Sequence, residues 1–127
     1  MLLKKIILRN SDGFQADILN WAKFRRIDCE VFDGKQSLFE LIDSLLVIHE
    51  DHNISKDNRS LLDQVKAIPK PAHIVDINAT MTAATSSVKF WLENNKPKNV
   101  LIIGDDSVTK NPRLKEYLTK LADILSE

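Results

Sequence analysis

The sequence predicts a three-layer α/β/α domain, Rossmann-like or flavodoxin-like, around a five-stranded parallel sheet. Two observations predict it. Val100-Leu101-Ile102-Ile103 is an unbroken run of branched apolar residues, the habit of a strand buried on both faces in a parallel sheet. Short apolar runs also alternate with amphipathic segments, each long enough for one helix.

In order, Lys4 to Asn10 reads as a buried strand. Asp12 and Gln15 then have the spacing of a capping box, opening a helix that places Phe14, Ile18, Trp21 and Ala22 on one face. Arg25-Arg26 suit the negative end of its dipole. Asp28 to Phe32 alternates polar and apolar residues, as an edge strand does. Ser37 and Glu40 form a second candidate capping box, before a short helix with Leu38, Leu41 and Ile42 inward. Leu45 to His49 is the third strand, followed by a polar loop from Glu50 to Asn58. Leu61, Leu62, Val65 and Ile68 mark a third helix, stopped by Pro69 and Pro71. Ala72 to Asn78 is the fourth strand, and a helix from about Thr80 to Asn94 buries Ala84, Val88, Trp91 and Leu92. The fifth strand leads through a polar loop to Asn111, a good N-cap, and Pro112, suited to the first helical position. Leu114, Leu118, Leu121 and Leu125 give the last helix its inner stripe. A flavodoxin-like strand order, 2-1-3-4-5, is the expectation.

The 127 residues suffice for one domain, 1–127, with its own core. Eighteen basic residues balance eighteen acidic ones and are scattered, which argues against nucleic acid or an anionic membrane as partner. Cys29 is the single cysteine, so no disulfide framework or cysteine metal cluster arises. Its acidic neighbours would raise the thiol's pKa. No signal-like or membrane-spanning run is present, and the expected address is the cytoplasm.

Function should lie at the carboxyl ends of the strands. The loops there are rich in hydroxyls, amides and acids, and each precedes a helix N-terminus able to receive an anion. Neither a G-x-G-x-x-G turn nor a Walker lysine motif occurs, and Asp105-Asp106 repel a phosphate unless a cation intervenes. His49-Glu50-Asp51-His52 holds metal-ligating residue types, but in an extended segment the two imidazoles point apart unless the loop turns sharply; whether this loop takes a metal is left open, as is the cofactor. Asp76 and His73 read as structural, Trp21 and Trp91 as core.

The stretch from Trp91 to Pro112 resembles the C-terminal signature of the putative molybdenum carrier family, within the SLOG class of Rossmann-like nucleotide-binding domains. Trp91-Leu92, Leu101 to Ser107 and Asn111-Pro112 fall at matching intervals. Asp43 to Ile48, Lys70-Pro71 before Ile74-Val75-Asp76, Ser11-Asp12-Gly13 and Leu19 to Ala22 resemble further family motifs. The resemblance implies a nucleotide-binding fold. The family's first loop survives only at Gly13, and its Pro-Arg after the last strand is here Asp105-Asp106, which implies an altered phosphate grip. The segments RNSDGF, EVFDG and SLLVIHEDHNIS also resemble TIR domains, which serve protein assembly or NAD cleavage. The NAD-cleaving members need a glutamate on the helix after the third strand, where this chain has Asp57 and Asp63.

The expected function is non-catalytic binding of a small phosphorylated or nucleotide-derived ligand. Asn10, Ser11, Gly13, Asn78, Thr80, Gly104, Asp105 and Ser107 would form the site. A TIR-like interaction module comes second, and a nucleotide hydrolase or transferase using Asp105 or Asp106 third. Homo-oligomerisation through a helix or edge strand is compatible with all three.

Overall fold

The computed structural model describes residues 2–126. Its elements run β1 (Lys5–Leu8), α1 (Phe14–Arg25), β2 (Asp28–Val31), α2 (Leu38–Leu41), β3 (Ser44–His49), α3 (Lys56–Ala67), β4 (Ala72–Asp76), α4 (Met81–Asn95), β5 (Val100–Gly104), α5 (Asp106–Thr109) and α6 (Arg113–Leu125). All strand pairs are parallel and the sheet has five strands, the predicted three-layer α/β class.

The strand order is β2-β1-β5-β3-β4, not 2-1-3-4-5. β5 lies between β1 and β3, pairing Ile6 with Val100 on one side and Leu45 with Leu101 on the other. The physical reason is burial: β5 and β3 are covered along their whole length, whereas β2 alternates exposed and half-buried residues and β4 is largely half-buried. The three interior positions go to β1, β5 and β3, the strands apolar on both faces.

Side-chain alternation divides the core in two. Ile6, Leu8, Leu46, Ile48, Val100 and Ile102 face α1, α4 and α6, while Ile7, Leu45, Val47, Leu101 and Ile103 face α2 and α3. Connections stepping toward β2 (α1, α4) lie on the first face, and those stepping toward β4 (α2, α3) on the second, as a constant crossover hand requires. Each fully buried Leu or Ile contributes about 1.5–3 kcal/mol. Trp21 is buried as expected and donates Nε1–H to the Leu118 carbonyl at 2.9 Å, tying α1 to α6. Trp91 is only half-buried, its ring stacked on His73 at 5.7 Å.

Several helix starts differ from expectation. Neither predicted capping box forms: Gly13 and Ser37 precede α1 and α2 without side-chain caps. Gln15 is buried instead of reaching back to the turn. Ser55 opens α3 by accepting from Asn58 N–H at 3.3 Å, so the predicted polar loop already contains the helix's first turn. Ile68, expected inward, is the C-cap residue just beyond α3 and is 46% exposed. Asn111 does cap α6: its Oδ1 accepts from Arg113 N–H at 2.9 Å, with Pro112 between them at helical angles. The expected loop after β5 holds a short helix, α5, anchored by buried Val108.

Candidate functional site

The loops after β1 and β5 run to one face of the sheet, and the loop after β3 runs to the other, because α1 and α6 lie opposite α3. Between these diverging loops is an open cleft of about 550 Å³ at the carboxyl ends of the central strands. This is the switch point at which open α/β sheets bind ligands. Its walls are Arg9, Asn10, Asp12 and Gln15 after β1, Ser55, Asp57 and Asn58 at the start of α3, and Gly104 to Ser107 after β5.

Alternation explains how the charged groups are shared out. Asp105 and Asp106 follow β5 directly and leave it toward opposite faces. Asp105 turns to α3: one carboxylate oxygen accepts from Ser55 N–H at 2.8 Å and the other from Asn58 Nδ2–H at 2.5 Å. Asp106 turns to α1, where its Oδ1 accepts from Phe14 N–H at 3.3 Å. That approach needs glycine at residue 13, whose φ is +53° and where a Cβ would sit 2.1 Å from Asp106 Oδ1. Gly104 likewise admits the Phe14 ring, which would stand 2.8 Å from a Cβ.

Arg9 follows the end of β1 on the side of α3. Its Nη2 donates to Asn58 Oδ1 at 2.5 Å, and its Nε is buried with no partner. Burial pushes the guanidinium pKa down, opposed by Asp57 and Asp105 nearby. Asn58, 3% exposed, therefore links a cation to an anion across the floor of the cleft. The sequence reading missed both residues. The available signal was an arginine directly after the apolar run Ile6-Ile7-Leu8.

Of the expected ligand residues, Asn10, Gly104, Asp105 and Ser107 line this cleft. Ser11 and Gly13 belong to the same β1–α1 loop but not to the lining, Gly13 acting through Asp106. Asn78 and Thr80 are elsewhere. The Asn78 side chain joins Asp51 (3.0 Å) and Asn111 (3.0 Å), and Asn111 also reaches Glu50 at 2.8 Å, locking the start of α6 onto the ends of β3 and β4. Thr80 precedes α4 without capping it. The fourth loop is thus structural rather than part of the cleft, because β4 is at the sheet's edge.

The segment after His49 is not extended, so His49 and His52 do not point apart: the loop turns sharply. Asp51 and His52 both have positive φ, a tight turn closed by a Glu50–Asn53 bridge, so the imidazole centroids stand 5.3 Å apart. His49 Nδ1 accepts from His52 N–H at 3.0 Å, and burial pushes the His49 pKa down. Asp76 accepts from Asp51 and Asn78 N–H groups, the structural role expected. Among the described residues, no group of three or more His, Cys, Asp or Glu is arranged to hold a metal ion. The Cys29 thiol pKa is raised, as expected, but burial rather than acidic neighbours is the cause.

No protein-family model matches the chain, and no curated protein matches it in sequence. Among solved structures, that of a "putative molybdenum carrier protein" from Syntrophus aciditrophicus SB is similar over 98% of this chain and 95% of that one, with a TM-score of 0.70 and 15% sequence identity. The two chains share a fold. At that identity the likeness extends to the arrangement of strands and helices and not to the residues of a site. No helix among the described residues is long and apolar enough to cross a membrane.

A second groove, of about 790 Å³, runs between α1 and α6. Its floor includes Trp21, Leu114 and Leu118, and its rim includes Phe24, which is 81% exposed.

Proposed function

We propose that the protein binds a small polar ligand of the phosphorylated or nucleotide-derived class in the switch-point cleft, without transforming it. The observation that carries this reading is Arg9. Among the described residues its guanidinium is the one basic group lining the cleft, held by Asn58, while the carboxylates of Asp105 and Asp106 beside it are engaged by N–H donors of the chain. An anionic group of the ligand would pair with the Arg9 guanidinium, and Asn10 and Ser107 supply polar contacts around it. Asp105 and Asp106 accept backbone or amide hydrogens, which suits caps better than a general base. The expected hydrolase or transferase therefore ranks below a binder.

Calorimetric titration with nucleosides, nucleotides and ribose phosphates tests the proposal. Binding should raise apparent stability by about 3 kcal/mol at a hundredfold excess over Kd. Arg9→Met should abolish binding, and Arg9→Lys should keep part of it. Binding unchanged in Arg9→Met would place the ligand elsewhere.

The groove between α1 and α6 favours a second reading, an interaction module of TIR-like layout. There the exposed Phe24 would be the anchor. Sedimentation over a range of concentrations tests the homo-oligomeric form of this reading: association should be lost in Phe24→Ser. A monomer at every concentration would remove it.

A further inference from the structure

The two helix N-termini that face the cleft are already occupied by carboxylates of the chain itself. Asp106 sits on the first N–H of α1, and Asp105 sits on the N–H of Ser55, the residue that opens α3. Both helices have 12 residues and present full N-terminal turns. In an α/β domain such turns are where phosphate oxygens settle. At α1 an intramolecular anion takes that place, and the backbone is shaped to admit it: at Gly13 a side chain would collide with Asp106 Oδ1; at α3 Asp105 holds the N–H of the residue just before the helix. The cleft as a whole sets four carboxylates, Asp12, Asp57, Asp105 and Asp106, against the single guanidinium of Arg9.

We infer that Asp105 and Asp106 are specificity-determining residues that hold the ligand to one compact anionic group, a carboxylate or a single phosphate ester, and exclude a pyrophosphate chain. This rests on the ligand-binding reading of the same cleft and narrows it. One anionic group fits beside Arg9. A second or third phosphate would have to displace Asp105 or Asp106 from the N–H it holds, or lie among like charges. The two acids are thus internal substitutes for the phosphates they repel.

The test is calorimetry on the full chain with adenosine, its mono-, di- and triphosphates, ribose 5-phosphate, acetate and inorganic pyrophosphate, each with and without Mg²⁺. Wild type should bind at least one singly anionic compound at least tenfold more tightly than any polyphosphate. Asp106→Ser should open the α1 terminus and gain tenfold or more in pyrophosphate affinity. Circular dichroism checks its fold, and Asp106→Asn, which keeps an oxygen for Phe14 N–H while removing the charge, should show the same gain in smaller measure. Arg9→Met should cancel both gains.

Wild type binding a triphosphate as tightly as a monophosphate, with or without Mg²⁺, would overturn the inference. So would unchanged pyrophosphate affinity in both folded Asp106 variants. Should wild type bind none of the singly anionic compounds while the variants gain pyrophosphate, the exclusion by Asp106 stands and it is the ligand reading that fails.

Discussion

Replacing Asn58 by alanine isolates the link on which the cleft floor depends. The amide accepts from Arg9 Nη2 and donates to Asp105 Oδ1, both at 2.5 Å. A hydrogen bond to a charged group contributes about 1.5–3 kcal/mol, so two set a ceiling of about 3–6 kcal/mol. Arg9 and Asp105 are only half-buried, and water from the cleft can replace part of what is lost. That lowers the expectation to about 2–3 kcal/mol. Alanine is also a better helix former than asparagine by about 0.6 kcal/mol, which works the other way in the first turn of α3. The net prediction is a loss of about 2 kcal/mol, read as a lower urea midpoint at unchanged slope. The double variant Arg9→Met, Asn58→Ala should lose less than the sum of the single variants by about 1 kcal/mol. A loss in Asn58→Ala below about 0.5 kcal/mol, or strict additivity, would refute the bridging role.

Three further outcomes are expected. Gly13→Ala strains a position at φ +53° and forces Asp106 off α1, so urea melts should show a loss of at least about 2 kcal/mol; a neutral result would mean the turn rearranges freely. Tyr117→Phe keeps the shape of a fully buried ring but deletes its hydroxyl bond to the Ala84 carbonyl (3.2 Å), and should lose about 1 kcal/mol. The third concerns acid. His49 Nδ1 must stay unprotonated to accept from His52 N–H, and its folded pKa is depressed, by burial first and then by His52 and Arg59 against the pull of Asp76 and Asp51. Below the unfolded value of about 6.5 the unfolded chain takes up the proton first, so the stabilisation present at neutral pH drains away as pH falls toward the folded value. His73, also depressed by burial, acts with the same sign. Urea midpoints at pH 7.5 and 5.5 should therefore differ by less in His49→Phe than in wild type, and an equal difference would show that His49 does not contribute.

What the sequence disclosed followed from patterns whose cause is local. The apolar run Val100 to Ile103 announced a strand buried on both faces, and the alternation of Asp28 to Val31 announced an edge; the burial of the one and the edge place of the other are as read, although the expected order had put β5 at an edge. Asn111-Pro112 marked a helix start because cap and first-turn geometry are set within three residues. Strand order was not legible, since Leu45 to His49 and Val100 to Ile103 read as equally apolar and only packing decides which lies beside β1. Nor were the caps of α1 and α3. Asp106 holds the first N–H of α1 and Asp105 holds the N–H of Ser55, which caps α3; they are separated from these partners by 92 and 50 positions in the chain. The same distance hid Asn58, which reads as one more polar loop residue until β1 and β5 are brought beside it. The His49–His52 approach depended on two residues with positive φ that no spacing rule announces.

The central place of β5 bears on how the domain can assemble. The four earlier strands form two separate pairs, β1 with β2 and β3 with β4, with no ladder between them except through β5. A two-stranded ribbon is marginal in water by itself. On the ribosome, then, nearly a hundred residues emerge before the strand that joins the halves is available, and until then the inner edges of β1 and β3 stand open. Closure of the sheet is a late, long-range event of the kind that makes folding slow. In that interval the pairing surface is held in trust for a segment still being made, and a chaperone or a neighbouring nascent chain would meet it first.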